Sequence, residues 1–159
     1  FHLWLEARWG QQRLLDVDEL PGAADDTAEP DPDLLALQSA FQASDWWSRV
    51  PAEVEFPFDM VVDGLLLRGR CDAVFDDAPD GCVDVVDWKT GRPPTGADAE
   101  AAAVQLAVYR LAWHHLSGVP LDRIRAAFHY VSHNQTVRPA DLLDHEGVAD
   151  LLRSVPWES

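Results

Sequence analysis

The sequence predicts an α/β (α+β) domain: a mixed central sheet of about four strands flanked by helices. Three observations carry this. Apolar and polar residues alternate in short runs between residues 53 and 89. Two turn signals, Asp63-Gly64 and Pro79-Asp80-Gly81, divide those runs into a meander. A long Ala-rich stretch then separates the meander from another apolar run, so a helix connects two parts of one sheet.

Phe1 to Asp16 reads as a helix, since Leu3, Ala7 and Leu14, with Trp4 and Leu15, give an apolar stripe. Pro21 to Pro32 is rich in Asp, Ala and Pro and reads as a mobile loop. A second helix is expected from about Asp33 to Trp47. Strands are expected at Glu53 to Val61, Leu65 to Phe75 and Cys82 to Lys89. Gly91-Arg92-Pro93-Pro94 ends the third. A helix over Ala97 to Leu116 stops at Gly118 and Pro120. A fourth strand, Ile124 to Val131, and a short helix within Asp141 to Arg153 complete the chain.

The 159 residues suit one domain, and 47% hydrophobic residues suffice for its core. No apolar run approaches the ~20 residues of a membrane span, and no signal peptide is visible. Phe1-His2-Leu3-Trp4 running into Glu6 and Arg8 reads as the interior of a helix cut from a longer polypeptide. Two cysteines, Cys71 and Cys82, cannot supply a four-thiolate metal or iron–sulfur site. They read as reduced structural residues of a cytoplasmic protein, with a disulfide between neighbouring strands left open. The net charge of −16 argues against a simple DNA-binding module, which needs a basic footprint. It fits a site that gathers carboxylates around a cation, a module to which a more basic domain delivers DNA, or ordinary acidic solubility.

Asp87-Trp88-Lys89 is the sharpest local feature. Residues two apart on a strand share a face, so a carboxylate and an ammonium stand side by side. Alone this would be a surface ion pair. The turn at Asp80, however, folds the second strand back so that Asp72 lies near-opposite Asp87, and a one-residue adjustment puts both on one face. The register of the first hairpin, in which Val62 pairs with Leu65, sets Glu55 opposite Asp72. Three facing acids repel unless a cation sits between them, and Mg²⁺ is a natural occupant. On the long helix Gln105 and Tyr109 share a face, being four apart. That stripe also contains core residues, so Tyr109 as half-buried core is the plain alternative.

Gly69-Arg70-Cys71-Asp72, then Asp87-Trp88-Lys89-Thr90-Gly91, then Gln105-Leu106-Ala107-Val108-Tyr109 resemble the nuclease domain of the RecB/AddA/AdnAB helicase-nucleases, within the PD-(D/E)xK superfamily. Phe1-His2-Leu3-Trp4-Leu5-Glu6 resembles the upstream helix that supplies a histidine ligand in that family. The resemblance implies a restriction-endonuclease-like core and a Mg²⁺- or Mn²⁺-dependent deoxyribonuclease, a single domain over 1–159 at the C-terminal end of a larger ATP-dependent helicase. It implies Asp72, Asp87 and Lys89 as catalytic residues, and His2, Asp72, Asp87 and the Trp88 main-chain carbonyl as metal ligands. Gln105 and Tyr109 would position DNA, expected to be single-stranded, and Glu55 would lie behind the ligands. The implied partners are DNA and helicase motor domains, with no membrane and no iron–sulfur cluster. With no P-loop motif here, ATP hydrolysis belongs to another part of the parent. The alternative is a catalytically silent nuclease-like domain that guides DNA or docks partner domains.

Overall fold

The computed structural model describes residues 1–9 and 32–154. Strands β1 (Glu53–Val62) and β2 (Leu65–Phe75) form a long antiparallel hairpin. Asp63 and Gly64 at its tip both have positive φ, 52° and 77°. That geometry matches the twist of the flanking strands, and Gly reaches it without steric cost. Strand β3 (Val83–Lys89) pairs antiparallel with β2 and parallel with β4 (Ile124–Tyr130). A parallel pair needs a crossover, here the helix α3 (Gly96–Ser117). Gly118, at φ 74°, ends α3 and returns its N–H to the His114 carbonyl. Strand β5 (Gln135–Val137) joins the far edge, so the sheet order is β1-β2-β3-β4-β5.

Helices cover both faces. On one side α3 and α4 (His145–Ser154) bury Leu106, Leu111 and Val148 against Val83, Val85, Ile124 and Phe128. On the other, α1 (His2–Trp9) and α2 (Pro32–Gln42) bring Leu5 and Phe41 onto Ala73, Phe75, Val86 and Trp88. This second core is largely aromatic. Phe41 and Trp88 meet edge-to-face at 5.0 Å, and Trp46 lies 5.0 Å from Phe75. Offset and edge-to-face pairs of this kind add to the area they bury.

The expected architecture is present, with two differences. The sheet has five strands, because β5 pairs with Phe128 to Tyr130. The second helix stops at Gln42 instead of Trp47. Tight turns follow, in which the Ser44 hydroxyl and N–H both bond the Phe41 carbonyl at 2.6 and 2.9 Å. The turns let Trp46 sink into the aromatic core, 3% exposed. Both cysteines are free thiols, Cys71 buried and Cys82 partly so. Residues 10–16 of the expected first helix, and the expected mobile loop up to residue 31, lie outside the described residues. Among the described residues, no helix is long and apolar enough to cross a membrane.

Candidate active site

A slip in side-chain alternation brings the acids together. Phe56, Phe58, Met60 and Val62 on β1, with Leu67 and Cys71 on β2, all pack on the α3 side. Ala73 should share the face of Cys71, two residues before it. It lies instead in the opposite core with Phe75, and Val74 turns toward α3. The alternation therefore shifts at Asp72. Across the ladder Glu55 has φ 52°, between the pairs Val54↔Ala73 and Phe56↔Cys71. After the shift Asp72 shares the face of Val74, just as Asp87 shares that of Val85. The pairs Ala73↔Val86, Val74↔Val85 and Phe75↔Asp84, continued by one, set Asp72 across from Asp87.

The main-chain ladder opens at the same point. The Trp88 N–H donates to Asp72 Oδ2 at 2.7 Å. His2 Nε2, from the first turn of α1, lies 3.0 Å from the Trp88 carbonyl oxygen and 3.3 Å from Asp72 Oδ2. Lys89 Nζ meets Asp87 Oδ2 at 2.8 Å and sits 5.0 Å above the Phe128 ring. The Trp88 side chain points away into the aromatic core. The middle residue of the triplet is thus an anchor, while its main-chain atoms face the site.

Burial sets the electrostatics. Asp87 is 6% exposed, and burial, then the charge and hydrogen bond of Asp72, raise its carboxyl to about 7 against the pull of Lys89. Burial would raise Asp72 too, but hydrogen bonds from His2, Asp87 and the Trp88 N–H hold it below the usual carboxylate range. Below about pH 7 the pair therefore holds one proton, mainly on Asp87. The Asp72 hydrogen bond raises His2 in turn, against burial.

Glu55 reaches toward this cluster from β1, and its carboxyl is raised by burial, then by the charges of Asp72 and Glu6. It also meets Arg70 Nη1 at 3.5 Å. Glu6 was quoted in the sequence only as part of the upstream helix, and it follows His2 by four residues on α1 and so shares its side. On α3, Gln105 Nε2 donates to Tyr109 Oη at 2.7 Å. That leaves the phenol proton free to donate. Burial, then the Asp87 charge, raise the phenol well above its ordinary range, so it stays protonated. Tyr109 is 8% exposed and packs in the α3 core, so both readings of it describe one residue.

The opposite end of β3 holds a second ionic cluster that sequence reasoning missed. Asp84, 1% exposed, accepts from Arg49 Nη1 at 3.1 Å and from Arg125 Nε and Nη2 at 3.0 and 3.1 Å. Its signal was an acid at an inward position of an apolar strand. Arg110 belongs to that end as well, bonding the Ile124 and Leu121 carbonyls.

The donor set suits a divalent ion. The distances from His2 Nε2 to Trp88 O and Asp72 Oδ2, 3.0 and 3.3 Å, are close to the ~3.0 Å edge of an octahedron of ligands at ~2.1 Å. Among the described residues no three His, Cys, Asp or Glu side chains form a metal cage. The convergence here depends on a main-chain carbonyl as one donor.

On this mixed sheet a buried acid pair and an adjacent lysine meet a histidine from α1. The model of the PD-(D/E)XK nuclease superfamily matches residues 1–156, and the chain belongs to that superfamily. Its members generally use divalent metals. The crystal structure of SSO0001 is similar at 20% identity and a TM-score of 0.45, covering 76% of this chain and 56% of that one. This chain thus spans little more than half the length of that structure. No curated protein matches.

Proposed function

We propose that this domain is a Mg²⁺- or Mn²⁺-dependent deoxyribonuclease of the RecB/AddA/AdnAB type. On this reading it is the nuclease module of a cytoplasmic ATP-dependent helicase-nuclease acting in DNA repair or recombination. The observation that carries it is the contact of Asp87 with both Asp72 and Lys89, beside His2 and the Trp88 carbonyl. A silent copy has no need of a buried acid pair that shares a proton.

Asp72, Asp87, His2 and the Trp88 carbonyl would hold the ion, which when bound acidifies a water and polarises the phosphate. Lys89 keeps its ammonium beside Asp87, where it orients the attacking water and stabilises charge developing on the phosphate. The Tyr109 hydroxyl, fixed by Gln105, donates to a non-bridging phosphate oxygen. Glu55 stands behind Asp72. None of these groups reads a base edge, so cleavage has little sequence preference.

The substrate is single-stranded DNA fed in by motor domains. DNA carries one charge per ~1.7 Å of duplex axis, and a chain of net charge −16 repels it. Tethered delivery offsets that repulsion by raising the local concentration. The test compares this domain with its intact parent on single-stranded DNA in Mg²⁺ and Mn²⁺, with Lys89→Ala in both. The parent should cut, the isolated domain should cut weakly, and Lys89→Ala should lower the rate at least ~100-fold. Equal rates for domain and parent would remove the delivery idea. A parent unaffected by Lys89→Ala would leave the silent, DNA-guiding reading in its place.

A further inference from the structure

Gly69 and Phe58 are direct partners across the β1–β2 ladder. The Phe58 ring lies over Gly69 so closely that a Cβ there would sit 2.6 Å from Cζ and 3.0 Å from Cε1. No real Cβ approaches an aromatic carbon that closely, so any larger residue at 69 must displace the ring. The ring has little room to move. Phe58 is 5% exposed and meets the Tyr109 ring edge-to-face at 5.7 Å and 77°. Behind it stands Phe56, stacked at 6.4 Å and itself braced by Trp113 at 5.2 Å. A displaced Phe58 must therefore press on Tyr109. Tyr109 carries the hydroxyl that Gln105 fixes at 2.7 Å, on the side of α3 that faces Asp87.

We propose that Phe58 is a positioning residue of the site: seated across Gly69, it sets the Tyr109 ring and so aims the Gln105–Tyr109 hydroxyl at the scissile phosphate. This rests on the nuclease reading for its substrate, and on packing alone for the link from Gly69 to Tyr109. Gly69 is required because it leaves room for a ring, since its φ is not in the left-handed region. A displacement of the ring by even ~1 Å is enough to cost up to ~100-fold in rate.

The packing link is read without any cleavage. The protein has two tyrosines, Tyr109 and Tyr130. In protein labelled with 3-fluorotyrosine, Gly69→Ala and Phe58→Leu should each shift one ¹⁹F resonance, assigned to Tyr109 by its loss in Tyr109→Phe, and leave the other in place. Two unmoved resonances in folded variants overturn the proposal whatever the activity. Phe58→Met, which keeps more of the volume, replaces Phe58→Leu if the latter fails to fold. The link to chemistry is read as a double-mutant cycle in the intact protein on single-stranded DNA with Mg²⁺. Phe58→Leu should lower kcat ~10- to 100-fold with KM little changed, and should have almost no further effect in a Tyr109→Phe background. Gly69→Ala should fall as far alone, yet add nothing to Phe58→Leu. A Phe58→Leu loss of the same factor with and without the Tyr109 hydroxyl would mean a merely structural role and overturn the proposal. Failure of the nuclease reading is seen separately, as cleavage that survives Lys89→Ala.

Discussion

Replacing Asp87 by Asn should stabilise the metal-free protein at alkaline pH. Asp87 is 6% exposed beside Asp72, and its carboxyl is raised from 3.8 to about 7 by burial and then by Asp72. The folded carboxyl thus keeps its proton to higher pH than the unfolded one. Between those two values the folded state binds more protons, so stability falls as pH rises and the loss is complete above about 7. At about 1.4 kcal/mol per pH unit the cost is roughly 4 kcal/mol. This is a ceiling, because Lys89 loses its charged partner in the variant. Asn mimics the protonated acid, so Asp87→Asn should match wild type near pH 4 and exceed it at pH 8. For a chain of this size the ceiling corresponds to roughly 8–16 °C in Tm. Scanning calorimetry in EDTA at both pH values measures it. Mg²⁺ should then raise the Tm of wild type at pH 8 and not that of the variant. A variant destabilised equally at both pH values would refute the idea that the ionised acid pair strains the fold.

His2→Ala should weaken Mn²⁺ binding by about tenfold or more. It should also reduce the proton release on binding, because the raised His2 must shed a proton before it can ligate; calorimetry in buffers of different ionisation enthalpy counts those protons. Asp84→Ala should cost about 3 kcal/mol in denaturant melts by stripping Arg49 and Arg125 of their buried partner, with kcat unchanged, since that cluster lies at the other end of β3.

Much of this was legible in the chain itself. Asp63-Gly64 fixed the first hairpin's register, because only a two-residue turn with positive φ joins Val62 to Leu65. The same count set Glu55 across from Asp72. The union of Asp72 and Asp87 on one face was visible only up to one residue. Its cause, the shift in alternation beside Glu55 at φ 52°, leaves no mark in composition, since Glu is not a residue that favours that conformation. β5 was missed because three residues cannot display a period of two. The early end of α2 was missed because Trp46 and Trp47 continue an apolar pattern that tertiary packing then interrupts. Gly69 was quoted as part of a motif, but its reason lies in a ring on another strand, which no local pattern reports.

Trp88 contacts His2 and Asp72 through its main chain, while its ring serves only the aromatic core. Neighbouring positions on one strand therefore answer to different selection pressures. Position 88 could drift among large apolar side chains that fill the same space, and the carbonyl and N–H would stay where they are. Asp87 and Lys89 have no such freedom, because their task is written in functional groups. The helices that hold the core around Trp88 would drift with it, so lineages of this domain could diverge widely in their hydrophobic interior and still present the same few polar atoms to DNA.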